Sequence, residues 1–474
     1  MTHGPPLLRL LLATALLSAL HAHAQAPQLW GMTTAGGANN KGTLFRVNTD
    51  GTDFTVEHHF SETSGYAPEG TLCQAENGKL YGTTNQGGAG SPAAGTLFSF
   101  DPATGTYTTL VDFTITNGGY GWSGLTATPS GMLYGATYGG GGSGGSIFRV
   151  DPTTDTYTIL YPLNQLTDGG GITSLLYHAT DGQLYGCAAY GGANNAGTLF
   201  RFNPATGAFT KLYDLGGGVN GKTPYGGLSE GGNGWYYGTT FEGGIDNKGT
   251  LFKYAPGTNT FVKLLDFNGP NGQSPWTAPI PAADNELWGT TANGGTNGNG
   301  MIYRLTPSTD TYEQRYSFTA ATGGLLFSNV TPGGDGYLYG IGAFGGTNFH
   351  GTIYRLDPQT NTVTTLHHMN GPTDGQSARG DLILVGGTTG LAEPDAGVGF
   401  SLLPNPTNGH FRVALHQYTS VPVALWVTNS TGQVVLRETA VNADRTLTLN
   451  AAPGLYTVTV EMDGLRHTQR LVVE

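Results

Sequence analysis

The chain has 474 residues, enough for two or three domains; 79 are Gly, only 11% are charged, and the formal charge is −12. No basic stripe exists to neutralise a phosphate backbone, which argues against a nucleic-acid partner, and the negative charge argues against docking on an anionic membrane surface. Gly, Thr, Tyr and Phe dominate after residue 25, and helix-favouring runs are nearly absent; this suits many short strands joined by tight turns.

In chain order, residues 1–24 read as a secretory signal peptide. Arg9 lies at the edge of an apolar run, Leu10 to Leu20, and Ala22-His23-Ala24 supplies a small-x-small cleavage site, so that cleavage is expected near Ala24. The run is too short for a spanning helix, and no later segment reaches the ~18 apolar residues a membrane span needs. The compartment beyond is oxidising. The two cysteines, Cys73 and Cys187, fall in the second and fourth repeats described next. That is too far apart for a disulfide, and they read as buried small hydrophobes.

From residue 29 to 385 three markers recur in register. An aromatic-Gly dipeptide appears as Trp30-Gly31, Tyr81-Gly82, Tyr134-Gly135, Tyr185-Gly186, Tyr237-Gly238, Trp288-Gly289 and Tyr339-Gly340, at spacings of 51, 53, 51, 52, 51 and 51. A Gly-Gly pair follows each, from Gly36-Gly37 to Gly345-Gly346, and then an aliphatic-aromatic pair, from Leu44-Phe45 to Ile353-Tyr354. A period near 50 residues is that of kelch-like propellers. Each repeat reads as four strands with apolar groups on both faces, and such a sheet must be covered on both sides. The predicted fold is therefore all-β: a seven-bladed β-propeller of ~51-residue repeats. The phase of the repeat predicts that Gly380 to Val385 closes the first blade by pairing with the strand carrying Leu29 to Met32, which leaves no open sheet edge.

Residues 386–399, rich in Gly, Thr, Ala and Pro, read as a linker. Residues 400–474 read as a small β-sandwich, with immunoglobulin-like topology expected from its short alternating strands.

No nucleophile elbow, paired-Cys zinc site, phosphate loop or His-Glu-x-x-His pattern occurs. No catalytic residue, metal or cofactor is expected. Several residue types recur in the repeats. The basic residues Arg46, Arg149, Arg201, Lys253, Arg304 and Arg355 are read as blade scaffold rather than a ligand-binding ring. Asp112, Asp214 and Asp266 are read as turn-supporting or solvated rather than an acid/base pair. Asn39, Asn40, Asn194, Asn195, Asn247 and Asn299 are read as bonding their local backbone rather than calcium. His58, His59, His367 and His368, on outer strands of the first and last blades, are read as solvent-exposed rim residues rather than a metal site.

Alternating strands place the Gly-Gly loop and the loop entering the innermost strand on one face. Long loops on a rigid scaffold are where recognition residues sit. There, three residues before the apolar residue of the inner strand, one position changes between repeats: Glu69, Trp122, Ile172, Tyr225, Trp276 and Arg379, with the sixth-to-seventh transition too irregular to align. A scaffold position should repeat and this one does not. Trp122, Tyr225 and Trp276 are expected to form an aromatic platform at the channel mouth, flanked by Glu69 and Arg379, on which sugar faces could stack.

On these motifs the repeats resemble the tandem GloVer repeats of exported bacterial proteins, a family without an activity to carry over. The C-terminal segment resembles the type A sorting domain of the type IX secretion system. The matching residues are Leu403-Pro404-Asn405-Pro406 with Thr407 and Gly409, the turn from Asn429 to Gln433, Pro453-Gly454-Leu455-Tyr456, and Gln469-Arg470-Leu471-Val472-Val473. Arg470 stands where the family often has Lys. The resemblance implies engagement of the secretion machinery, passage across the outer membrane, removal of the domain and frequent attachment of the product to surface polysaccharide. The expected function is non-catalytic recognition of a glycan or surface protein by a secreted or outer-surface monomer. A polysaccharide lyase or hydrolase and a structural adhesin or matrix protein are the alternatives.

Overall fold

The computed structural model describes residues 27–282, 286–386, 400–403, 407, 410–415, 423–429, 433–441, 445–449, 454–462 and 465–473. The expected signal peptide, nearly all of the expected linker, and Pro404, Asn405, Pro406 and Gly409 of the sorting motif lie outside the described residues.

Among the described residues, the chain from Gln28 to Val385 forms seven four-stranded antiparallel sheets. Six use consecutive strands, as in Cys73–Gln74, Leu80–Thr84, Thr96–Asp101 and Thr106–Asp112. The remaining one, the first in chain order, joins the two ends of the region. Ile383–Val385 is the inner strand beside Gln28–Thr33, with Gln28 opposite Val385 and Trp30 opposite Ile383, so the expected closure pairing is present.

Two of the sequence markers are halves of one packing device. In every sheet the Gly of the aromatic-Gly dipeptide lies directly across from the aromatic of the aliphatic-aromatic pair, from Gly31 opposite Phe45 to Gly340 opposite Tyr354. The ring occupies the space a side chain would need: a Cβ on Gly238 would stand 2.5 Å from Cζ of Phe252. The rings then fill the spaces between sheets. Leu44, Phe98 and Phe60 join the first sheet to the second, and five similar clusters follow round. Phe45, Ile353 and Leu382 join the seventh sheet back to the first. Each such buried side chain stabilises the ring by about 1.5–3 kcal/mol. The result is a closed β-propeller.

The Gly-Gly loops are bound to the loops that enter the inner strands. The second Gly donates its N–H to Gly371, Glu62, Ile115, Gln165, Gly218, Gly269 and Ala320 carbonyls in turn. This ties both sets of long loops to one face. The residue after the pair donates to the last residue of the outer strand: Ala38 to Nδ1 of His59 (3.2 Å), Ala89 to Asp112 (2.7 Å), Ala193 to Asp214 (2.8 Å), Ile245 to Asp266 (3.2 Å), Thr296 to Ser317 (3.1 Å) and Thr347 to Nδ1 of His368 (3.3 Å). His, Asp and Ser are interchangeable here because the position asks only for an acceptor.

At the C-terminal end, Phe400–Leu403, His410–Leu415 and Arg445–Thr448 form one sheet. Val434–Val441, Val423–Thr428, Gly454–Met462 and Leu465–Val473 form the other, in that order. Phe411, Val413, Leu425, Val427, Tyr456, Val458 and Leu471 make their shared core. Tyr456 of the sorting motif thus packs in the core, Gly454 lies across from Val473, and Arg470 lies across from Thr457.

Candidate ligand-binding cavity

The loop entering each inner strand turns toward the axis through one residue in the left-handed region. These are Ala67, Tyr120, Gly171, Thr223, Ser274, Leu325 and Ser377, with φ between 51° and 70°. For a non-Gly residue that conformation is uncommon and must be held in place. Hydrogen bonds hold it: the first six donate N–H to Lys41, Ala94, Gly144, Ala196, Lys248 and Asn299, and all seven accept at their carbonyl from the next blade's sheet or loop. Two residues further on stand Glu69, Trp122, Thr173, Tyr225, Trp276, Phe327 and Arg379. All seven line one cavity of about 330 Å³, within the range of small-ligand sites.

The five residues expected from sequence are therefore brought together, and two were missed. Ile172 is fully buried between the third and fourth blades, and its neighbour Thr173 takes the cavity position instead. Phe327 fills the place that the irregular sixth-to-seventh connection had hidden. A usable signal was present. Glu69, Trp122, Thr173, Tyr225, Trp276 and Phe327 each stand eleven residues before the strand-opening Leu80, Leu133, Leu184, Tyr236, Leu287 and Leu338.

The rings are half-buried and fall into two groups. Tyr225 and Trp276 lie 4.5 Å apart between centroids, Phe327 meets Trp276 at 5.2 Å, and Phe241 supports both Tyr225 and Trp276. Trp122 stacks on Tyr138 at 5.2 Å, and Thr173 separates it in ring order from Tyr225. Arg379 stands 3.5 Å from Glu69 and over the rings of Phe327 (4.7 Å) and Trp276 (5.7 Å). Burial pushes the Glu69 carboxyl up, while Arg379 and the Asn85 amide, 3.3 Å away, pull it back.

Two residues further along the segments that lead into the inner strands, the series reads Thr71, Gly124, Leu175, Gly227, Ala278, Asn329 and Asp381. Asp381 is the one charged member, and sequence reading did not single it out. It is half-buried and lines the cavity. It accepts the Asn329 N–H at 2.6 Å, and its own N–H donates to Thr71 Oγ1 at 3.0 Å. Burial pushes its pKa up to about 6, and the influences opposing this are hydrogen bonds from Asn329 and Thr71, not a cation. Ser174 Oγ, also on the cavity wall, is buried with no hydrogen-bond partner.

The other singled-out residues lie elsewhere. Arg46 pairs with Asp53 and Glu57, both at 2.6 Å; Lys253 pairs with Asp310; Arg304 pairs with Glu313; and Arg355 lies over Tyr337. Asn40, Asn195 and Asn247 accept from the first Gly of their own Gly-Gly pair, and Asn39 and Asn194 donate to nearby carbonyls. Cys73 and Cys187 are buried and unbridged, in different inter-blade clusters. The histidines require a correction: they are half-buried, not solvent-exposed. His58 stacks on Tyr107 at 4.0 Å and His367 on Phe54 at 3.8 Å, because the outer strand of each blade packs on the next. Among the described residues no three His, Cys, Asp or Glu side chains are grouped to hold a metal ion.

Comparison with known proteins follows the two halves of the chain. Residues 401–474 match the model of the secretion system C-terminal sorting domain, which marks the chain as type IX-sorted, for secretion or the outer surface. No curated protein matches. Among solved structures, a putative 6-phosphogluconolactonase from Bacteroides uniformis aligns with 16% identity over 75% of this chain and 99% of its own, at a TM-score of 0.50. PorZ, a surface component of the type-IX secretion system of Porphyromonas gingivalis, aligns with 16% identity over 96% of this chain, at a TM-score of 0.41. The chain spans 58% of the PorZ length. These likenesses are of fold alone. The propeller region matches the Gloeobacter/Verrucomicrobia repeat at residues 17–177, 139–246 and 174–397. With the repeat covering most of its length, the chain belongs to the Gloeobacter/Verrucomicrobia repeat family.

Proposed function

We propose that this is an exported protein whose propeller binds a carbohydrate, without cleaving it, in the cavity at its axis. In this reading residues 1–24 are removed on export, residues 29–385 are the working propeller, residues 386–399 link it to the rest, and the immunoglobulin-like domain at 400–474 addresses it to the secretion machinery. The observation that carries the reading is the convergence of Trp122, Tyr225, Trp276 and Phe327 on one cavity. Indole and phenol rings supply flat apolar area at low conformational cost, which suits the apolar face of a sugar ring. Glu69 and Arg379 supply hydrogen bonds beside them. Binding to a glycan array, with Trp122→Ala and Trp276→Ala as controls, tests it. Each change should weaken binding about tenfold or more; unchanged binding in both variants overturns the reading.

A cleaving enzyme is the second reading, favoured by two carboxyls of raised pKa, Glu69 and Asp381, on one cavity. A glycosidase needs such a pair. Glu69, however, faces Arg379, which favours its ionised form over an acid able to donate a proton. New reducing ends released from the bound glycan, and lost in Glu69→Gln, would decide for the enzyme.

A further inference from the structure

We propose that the cavity selects a sugar bearing a free amine, holding the ammonium against the Asp381 carboxylate and the sugar face against Tyr225, Trp276 and Phe327. This rests on the glycan reading above and names the chemical class of the ligand. A neutral sugar can donate hydroxyls to a carboxylate, but it leaves the negative charge uncompensated. Hydroxyl groups are satisfied by neutral partners, and at the depth of Asp381 five of the six other repeats offer Thr, Gly, Ala or Asn, while the sixth has Leu175. A carboxylate there adds negative charge in a place where protein has displaced most of the water, which is unfavourable unless a positive group joins it.

The protein does not supply that group. Among the described residues no ion pair to Asp381 is formed. Arg379, two residues earlier on the same segment, is taken up by Glu69 and by the faces of Phe327 and Trp276. Glu69 and Asp381 together outweigh Arg379 by one negative charge, so the cavity repels uronic acids and sulfated sugars and attracts cations. The walls add to this. Aromatic faces stabilise a cation placed over them, more so when it is desolvated, and Arg379 over Phe327 and Trp276 demonstrates the fit of a cation to these rings. Asp381 follows Arg379 by two residues on the segment that leads into Ile383–Val385, and it lines the same cavity as the rings. The other titratable groups on the cavity wall are His178 and Tyr177, and Asp381 opposes ionisation of the nearby Tyr354 hydroxyl.

The test titrates the full chain at pH 7 with three oligosaccharides of equal length: β-1,4-linked glucosamine, its N-acetylated form, and the glucose form. Free lysine is the fourth probe, an amine without a sugar. The glucosamine oligomer should bind at least about tenfold more tightly than the other two. Asp381→Asn should bring all three to the same affinity, while Trp276→Ala should weaken all three together. The preference should shrink from pH 7 to pH 5 as Asp381 takes up a proton. Equal affinity for the three sugars overturns the amine inference and leaves the glycan reading standing. Lysine binding as tightly as the glucosamine oligomer overturns the sugar half of the proposal. Failure of every sugar to bind overturns both. The ligand panel needs no variant, so it decides the matter even where Asp381→Asn does not fold.

Discussion

Replacing Gly238 by Ala tests the device that sets the repeat. The added Cβ would lie 2.5 Å from Cζ of Phe252, 3.0 Å from the Gly227 carbonyl oxygen and 3.1 Å from Cδ2 of Leu228. The ring cannot retreat. Phe252 is fully buried, packs with Tyr185, Leu228 and Tyr254 between two blades, and stacks on Phe261 at 4.9 Å. Over-packing of this kind costs about 1–3 kcal/mol, and a clash with both a boxed-in ring and a backbone oxygen belongs at the upper end. Gly238 does not have a left-handed φ, so Ala recovers about 0.4–1 kcal/mol through the unfolded chain. The net expectation is a loss of about 2 kcal/mol. Gly257→Ala, at a site with nothing within 4 Å and no left-handed φ, is the control and should stabilise by about 0.4–1 kcal/mol. Urea unfolding of the full chain, followed by tryptophan fluorescence, measures both. Shortening the ring in the double variant Gly238→Ala/Phe252→Leu should recover about 1–2 kcal/mol relative to the sum of the single changes. A near-neutral Gly238→Ala, or strict additivity in the double variant, refutes the packing argument.

Ring closure should depend on the last inner strand. Leu382→Ala, at a buried site against Gly31 and in the cluster with Phe45 and Ile353, should cost about 2–5 kcal/mol in the same assay, and a change under about 1 kcal/mol refutes the role. His58, packed against Tyr107, is held down to about pKa 4 by burial, so its contribution is complete above pH 6.5 and is lost as pH falls toward 4. His58→Phe should flatten that acid limb by up to about 3 kcal/mol, and an unchanged pH profile would contradict it. Asp381 has the opposite sign, because its raised pKa makes the ionised form unfavourable in the fold as pH rises through about 6. Asp381→Asn should stabilise the protein at pH 7, by up to about 3 kcal/mol, and change little at pH 3.5; equal stability at pH 7 would mean that the carboxylate has a partner. Deleting residues 400–474 should hold the protein in the periplasm, and normal delivery of the truncated chain to the surface would remove the sorting role.

The features legible in the sequence are those that constrain backbone or packing in every repeat. Gly238 must be Gly because of Phe252, and Gly243 and Gly244 because their φ angles are +84° and +77°, so all three recur and are visible. Closure was legible because the repeats begin and end out of phase. The cavity was legible only in part. Glu69, Trp122, Tyr225, Trp276 and Arg379 could be found as a position that varies where scaffold does not, but Thr173 sits one residue past the expected Ile172. Gly171 takes the left-handed place there and leaves no side chain to mark it. Asp381 stayed hidden for a different reason. The strand-opening motif that would follow it in sequence is at the other end of the chain, at Leu29, so no count forward reaches it. The exposure of the histidines was not legible because strand position gives distance from the axis, whereas exposure is set by the next blade: Tyr107 covers His58, and Phe54 covers His367.

A propeller of this kind separates holding from reading. The left-handed residue at each cavity loop is fixed by hydrogen bonds from its own backbone, and it asks nothing of the side chain two positions later. Glu69, Trp122, Thr173, Tyr225, Trp276, Phe327 and Arg379 therefore occupy equivalent backbone sites with six different types of side chain. Variation there costs the fold little, whereas variation at Gly238 or Phe252 costs it a blade interface. Asp381 breaks this rule in one respect. Its position is deep enough that an unpaired charge opposes folding, and a neutral residue such as the Asn329 of the neighbouring blade would serve the scaffold better. A group that the scaffold is better without, facing the one cavity where seven variable side chains meet, points to a demand set by what enters that cavity.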